Sequence, residues 1–338
     1  MPGVRWVALL LLAVTSTAVA GGIDTGAACR DWRQVPVPAA HAGAAPEACS
    51  AQALYYGADG TRGDPVAARH CAYRERGLGT ETVSWDALFG GSGVLMMVYA
   101  NGEGVPRDLA LARRFACEYG GAPAELHGRL AHLQAIADAG TGRLDICDHI
   151  TSGMMAGVCA RRDAGFARVV RDRKWQTLQA DWTPAQHVAW RSLRAAADAY
   201  FDHAGRDEVD LGGTARGAFA VQAREALESR LIEDVGAFER GGRPTQTAAD
   251  LAALDRELNA VYRRTRADLQ AGAAAHEYSL FGTVDADGVR ETQRAWLRYR
   301  EAWVSFAATR WPDAAADVWR AWLTHARTGA LDAITGDP

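Results

Sequence analysis

The sequence predicts an all-α fold, in which a short αα-repeat module is followed by two small helical-bundle units. Three observations lead there. Val, Ile and Thr nowhere alternate with polar residues over the length of a strand. Ala, Leu, Arg and Glu dominate instead, and these residues favour helices. Two different internal duplications, each with apolar residues at helical spacing, run through the chain of 338 residues.

The chain opens with the three parts of a secretory signal. Arg5 supplies a short positive region, Trp6 to Val14 are uncharged and apolar, and Ala18-Val19-Ala20 fits the small-x-small cleavage rule. The apolar run is shorter than the ~20 residues that span a bilayer, so residues 1–20 read as a cleaved signal peptide rather than an anchor. No cysteine lies beside the cut, which disfavours a lipoprotein, and no later run is apolar enough to cross a membrane. The mature chain is therefore expected to be periplasmic or secreted. Lys and Arg total 37 against 41 Asp and Glu, and signal removal takes only Arg5 from that balance. Such a near-neutral chain has no basic footprint for nucleic acid and no polybasic segment for anionic lipid.

Six cysteines follow the signal: Cys29, Cys49, Cys71, Cys117, Cys147 and Cys159. In an exported chain an even count reads as disulfides, with about fifteen complete pairings open. No two form a C-x-x-C pair, so zinc and dithiol redox chemistry find no support. All six precede residue 160, so the remainder must be held by its own apolar core.

Residues 21–143 form the disulfide-bearing module. Its start, through Pro36, Pro38 and Pro46, is expected to be irregular around a tethering Cys29. Tyr55–Gly77 then overlays Tyr99–Gly121, aligning Asp64 with Asp108, Ala68 with Ala112, Arg69 with Arg113 and Ala72 with Ala116. Gly permits a tight inter-helix turn, Asp108 is placed to cap the next helix, and the alanines allow close approach. The turn Gly102-Glu103-Gly104-Val105-Pro106-Arg107-Asp108 and the Ala-rich segment after it resemble the Sel-one-like repeat, a relative of the tetratricopeptide repeat. Gly60-Thr61-Arg62-Gly63-Asp64 keeps only part of that turn. Two repeats stack little core, and disulfides are a natural replacement.

Residues 144–240 and 245–338 form the second duplication, separated by the breaker Arg240-Gly241-Gly242-Arg243-Pro244. Cys159, Asp163, Phe166, Val169 and Arg171 overlay Leu251, Asp255, Leu258, Val261 and Arg263. Ala189-Trp190, Arg194 and Tyr200 overlay Ala295-Trp296, Arg300 and Phe306. Each copy closes with an amphipathic helix, expected over Phe219–Val235 and Asp313–Arg327, and a flexible stretch is expected at Ala271–Gly288. In the second copy, Leu258-Asn259-Ala260-Val261-Tyr262 precedes Gln293-Arg294-Ala295-Trp296-Leu297-Arg298-Tyr299-Arg300-Glu301-Ala302 and a helix with Trp319, Trp322 and Leu323. These words in this order resemble the lysozyme-inhibitor LprI-like N-terminal domain, a small helical domain of exported bacterial proteins.

That resemblance covers 249–331 well and 150–235 weakly. The family carries one Cys before the Leu-Asn word and one after the Tyr-Arg-acidic word. Here those positions hold Cys159 and a residue near Ala197 in the first copy, and Leu251 and Trp303 in the second. The family disulfide is therefore ruled out in both. Cys159 then needs another partner, for which Cys147, near in sequence, is the first candidate, and Trp303 is large enough to fill the vacated core space. The implied function is a non-catalytic protein binder that inhibits a lysozyme-type hydrolase by filling its cleft with a loop and an Arg or polar wedge. The stretches Arg206–Gly217 and Ala271–Gly288 are where such a wedge is expected. The alternative is an envelope adaptor that binds another protein through its helical repeats.

Trp296, Tyr299, Trp303 and Phe306 share one helix face, as do Trp190, Leu193, Ala197 and Tyr200. Both stripes fit buried packing better than a ligand platform. Arg194 and Arg300 fit carboxylate partners that lock their helices to a neighbour better than a ligand contact. With Tyr299 and Glu301 they are the candidate binding residues. Asp145, Cys147, Asp148 and His149 are the one compact set of metal-ligand types, and a disulfide cysteine beside a helix-capping Asp explains them better. Gly90-Gly91-Ser92-Gly93 lacks the final Gly of a nucleophile elbow, because Val94 stands there. The acidic pairs Asp207-Glu208 and Asp285-Asp287 are expected to be solvated loop residues. No catalytic residue, metal or cofactor is expected.

Overall fold

The computed structural model describes residues 25–57, 62–77, 89–275 and 281–336; the signal segment 1–20 lies outside them, as do 58–61 of the first repeat turn. Among the described residues the regular structure is helical throughout, with no strand. In the first module α1 is Thr25–Cys29, α2 Ala51–Tyr56, α3 Pro65–Gly77, α4 Ser92–Asn101, α5 Leu109–Tyr119 and α6 Pro123–Ala139. The second half comprises α7 Gly153–Leu178, α8 Pro184–Asp207, α9 Arg216–Glu239, α10 Leu251–Ala275, α11 Ala286–Arg310 and α12 Ala316–Thr335. No helix among the described residues is long and apolar enough to cross a membrane.

The first module is organised around α4. Every residue from Val94 to Ala100 is fully buried, which follows from a helix that is apolar all round. Neighbouring helices α3 and α5 close on it. Gly102 ends it in the left-handed conformation at φ +67°, a position that favours Gly. Asp64 and Asp108, aligned in the sequence, do the same work. Asp64 accepts the backbone N–H groups of Val66 and Ala67 at 3.1 and 3.0 Å, and Asp108 accepts those of Ala110 and Leu111 at 3.0 Å. Among the described residues, the proline-rich start beyond α1 has two short 3₁₀ turns, Trp32–Gln34 and Ala39–His41. It is pinned by Arg114, which donates to the carbonyls of Arg33 and Val35 at 2.6 Å each.

Three disulfides staple this half: Cys29–Cys117, Cys49–Cys71 and Cys147–Cys159. The last fastens the turn before α7 to α7 itself, the pairing expected from the nearness of the two cysteines in sequence. Helix α7 spans about 39 Å and joins the two cores. Met155 and Cys159 lie in the first core, whereas Trp175 and Leu178 pack on the second. Glu125 of α6 fixes the junction by accepting the N–H groups of Thr151 and Ser152 at 2.8 and 3.0 Å. Arg162 adds a second tie, donating to Asp145 at 2.6 Å and lying 4.9 Å from the Tyr56 ring centre.

The second half is two three-helix units packed on each other. Helix α7 lies on α9 and α10 on α12, while α8 and α11 run side by side between them. They are antiparallel: the Gln186 side chain at the start of α8 reaches the Thr309 carbonyl near the end of α11 at 3.1 Å. The two predicted stripes meet along this seam, with Tyr200 stacked on Tyr299 at 5.4 Å between ring centres and Trp190 5.6 Å from Phe306. Trp303 and Ala197 are both fully buried along it. One apolar core thus runs across the 240–245 connection.

Two expectations need correction. Ala271–Gly288 is not flexible throughout: α10 continues to Ala275 and α11 begins at Ala286. The physical reasons are the helix propensity of the Ala-rich 271–275 segment and the cap from Asp285, which accepts the Gly288 N–H at 2.7 Å. Residues 276–280 of that stretch lie outside the described residues. Nor are the acids at 207–208 solvated loop residues: Asp207 ends α8 with its side chain 15% exposed, and Glu208 is more enclosed still. Its side chain is 8% exposed and holds the fully buried Arg327 guanidinium through bonds of 2.5 and 2.7 Å. Gln293 accepts a third bond from Arg327 at 2.9 Å.

Breaking a buried pair strands a charge and costs about 3–5 kcal/mol, whereas an apolar replacement of both partners costs far less. Urea titrations should therefore show Arg327→Ala and Glu208→Ala each losing about that much, with Arg327→Met/Glu208→Leu closer to the parent than either. Acid should loosen the junction. Burial works to raise the Glu125 carboxyl, but the Thr151 and Ser152 amides and Arg129 outweigh it and hold it below the usual carboxylate range. A carboxylate lowered on folding contributes stability above its unfolded pKa and loses it as pH falls through the folded value. Thermal melts between about pH 6 and about pH 3 should show this loss, and Glu125→Gln should make the pH dependence shallower.

Candidate functional site

The two stretches where a wedge is expected are far apart in sequence, yet they meet at one end of the α8–α11 seam. Because the helices are antiparallel, the exit of α8 and the entry of α11 lie together. The Leu211 N–H donates to Thr283 Oγ1 at 2.7 Å, and the Thr283 N–H donates to Asp210 Oδ1 at 3.1 Å. Asp210 also accepts the Gly212 N–H at 2.8 Å, bracing its own loop. Gly282, at φ +61°, lies so close to Asp210 that a Cβ there would sit 2.0 Å from it. Beneath the loops is the Arg327–Glu208 pair. The exposed groups at this end include Arg206, Gly212, Gly213, Thr214 and Arg216. Arg206 pairs with Asp207 at 2.9 Å, and Arg216 donates to the Gly213 carbonyl at 3.1 Å.

The four candidate binding residues do not converge. Arg194 lines a polar groove of ≈ 750 Å³ between α7, α8 and α9. There it bonds Glu228 at 2.5 and 2.7 Å and Asp198 at 2.5 Å. Burial works to lower the Arg194 pKa, but these carboxylates outweigh it and hold the guanidinium well above its ordinary value. Arg300 lines a smaller groove between α10 and α11, meeting Asp255 and Thr324 at 3.3 Å each. Its guanidinium is 5.2 Å from the Trp296 ring centre. Glu301 is exposed and accepts Arg320 at 2.8 Å. Tyr299 points elsewhere, lining a cleft bounded by α8, α9, α11 and α12. The two arginines thus have the carboxylate partners that a helix-locking role requires.

The compact set at 145–149 is accounted for by internal bonds. Cys147 is oxidised. Asp145 caps a turn rather than a helix, accepting the Cys147 N–H at 2.9 Å and the Tyr56 hydroxyl at 2.7 Å. His149 Nε2 lies 2.9 Å from His132 Nδ1. Burial and the neighbouring His132 lower its pKa. Among the described residues no group of His, Cys, Asp and Glu is placed to hold a metal ion. Ser92 heads α4 and donates to Glu118 at 3.2 Å.

Residues 243–331 match a family model described as Lysozyme inhibitor LprI. The matched span takes in α10, α11 and α12, with Tyr299, Arg300, Glu301, Arg327 and the 281–285 connection. It leaves the first module and α7–α9 outside. No curated protein and no solved structure matches the chain.

Sequence reasoning located both loops but not their pairing, and it misjudged Glu208. A signal did exist: with α8 and α11 each carrying one long apolar stripe, an antiparallel seam necessarily brings one helix exit beside the other's entry. The Asp210 bridge is directly testable. Asp210→Ala should release the 281–285 segment from the 208–215 loop, and hydrogen exchange at the Leu211 and Thr283 amides should quicken at least about tenfold. Unchanged protection would show that the loops are held by something else.

Proposed function

We propose that this chain is an exported, non-catalytic binding protein of the bacterial envelope whose second half inhibits a lysozyme-type peptidoglycan hydrolase. The observation that carries the reading is the LprI match over 243–331, on a half of the chain whose two loops are pinned together at one end. Three disulfides fit an oxidising compartment.

Glycosidases of this class place two carboxylates either side of the scissile bond. An occupant of such a cleft must present hydrogen-bond donors or positive charge, since bare carboxylates would be repelled. At the loop end, Arg206 and Arg216 are exposed and flank the exposed backbone of Gly212 and Gly213. Rigidity supports the same reading: a loop braced by Asp210 and Thr283 loses little conformational freedom on binding.

The test is lysis of bacterial cell walls followed by turbidity, using several lysozyme types. Purified mature protein should slow clearing near equimolar amounts, and Arg206→Ala/Arg216→Ala should need at least about tenfold more protein for the same effect. No slowing at excess protein against any lysozyme would overturn the reading. The envelope-adaptor alternative would then be pursued by pull-down from envelope extract through the repeat module.

A further inference from the structure

The cleft that Tyr299 lines is separate from the paired loops and from the Arg194 and Arg300 grooves. It measures ≈ 630 Å³ and opens between α8, α9, α11, α12 and the connection that follows Arg243. Its walls include Phe201, Leu227, Leu231, Phe238, Trp322 and Leu323. A cavity of this size, mainly apolar with a few polar groups, is typical of small-molecule sites.

Two polar groups here lack a partner. Tyr299 is 7% exposed, and its hydroxyl has no hydrogen bond among the described residues. Among the described residues, the fully enclosed side-chain atoms without partners are Arg129 Nε and the indole nitrogens of Trp182, Trp303 and Trp319. The Tyr299 hydroxyl is not among them, which leaves it in contact with the cleft. Trp296, 2% exposed, lines the same cleft, and its indole N–H likewise has no partner among the described residues. The two residues lie about one helical turn apart on α11, and both line the cleft. A nearly buried donor without a partner is costly, and a ligand acceptor would satisfy it.

The charges around the cleft are internally cancelled. Arg230 holds Asp234 at 2.9 Å, Arg243 holds Asp313 at 3.0 Å and Arg327 holds Glu208 at 2.5 Å. Burial pushes the Asp234 carboxyl up and the Tyr299 phenol up, favouring the uncharged form of each. His325 is exposed at the rim and has no carboxylate partner among the described residues. Nothing in the wall therefore calls for an ionic ligand.

We infer that this cleft binds a small, uncharged, mainly apolar molecule bearing a hydrogen-bond acceptor, with the Tyr299 hydroxyl and the Trp296 indole N–H as its donors. The inference is independent of lysozyme inhibition and is read without any hydrolase present. The probe is 6-propionyl-2-dimethylaminonaphthalene, a neutral aromatic ketone whose emission shifts to the blue in apolar surroundings.

Titration into the full mature protein should give saturable, blue-shifted emission at one probe per chain. Ala326 is exposed at the mouth, so Ala326→Trp should fold normally and abolish the shift. Tyr299→Phe keeps the ring and should weaken binding by about two- to tenfold. The carbonyl-free N-phenyl-1-naphthylamine should bind Tyr299→Phe and parent equally. Circular dichroism melts would confirm that both variants are folded. Absence of saturable binding, equal binding by folded Ala326→Trp, or a ketone affinity unchanged in Tyr299→Phe would each overturn the assignment.

Discussion

The Arg327 guanidinium and the Glu208 carboxylate meet in the interior where α12, the exit of α8 and the wall of α11 converge. A buried guanidinium is tolerated only when its donors are met, and here Glu208 and Gln293 meet three of them. This geometry has consequences in both directions. Above the pair, the position of Glu208 determines where the 208–215 loop leaves α8, and so whether Asp210 can reach Thr283. Below it, Arg327 lies 5.7 Å from the Tyr200 ring centre, against the aromatic seam of α8 and α11. The seam and the loops therefore share one charge pair that joins α8 to α12.

The two halves of the chain meet the cost of ordering in different ways. The first has short helices and an apolar α4, and it adds three covalent staples. The second has helices of 20 to 26 residues and a dense cluster of indoles and phenyl rings, with Trp311 stacked on Trp319 at 5.4 Å between centres. Aromatic pairs of this kind contribute about 0.5–1.5 kcal/mol each beyond the area they bury. Helix α7 links both regimes in one rigid element, since the Cys147–Cys159 bridge fixes its start and its far end packs against the aromatic core. The second half is thus carried at a defined orientation to the first module.

Arg194 and Arg300 illustrate how a motif residue divides between structure and function. They occupy grooves on different flanks of the α8–α11 seam, each engaged with a carboxylate of its own three-helix unit. Tyr299 lies one residue before Arg300 and faces a different cavity, because adjacent helical residues differ by about 100° around the axis. The motif word thus supplies two separate surfaces. Among the described residues, Arg300 is engaged with carboxylates, whereas the Tyr299 hydroxyl has no hydrogen-bond partner.

Much of the fold was legible from the residues alone. Helical propensity and 3.6-residue spacing gave the all-α class, the buried Trp296–Phe306 stripe, and the capping role of Asp108, all of them local properties of the chain. The even cysteine count indicated oxidation, and nearness in sequence made Cys147 the first candidate for Cys159, the pairing that forms. What the sequence could not determine was which distant groups would become neighbours. Glu208 beside Asp207 looks like a solvated acid, and only the packing of α12 against the seam brings Arg327 to it. Asp210 and Thr283 carry no mark of their pairing, and the cleft around Tyr299 exists only because four helices diverge there. Local order follows from propensity and pattern within a few turns of chain, whereas burial, charge pairing and cavities arise between segments and are decided by how those segments pack.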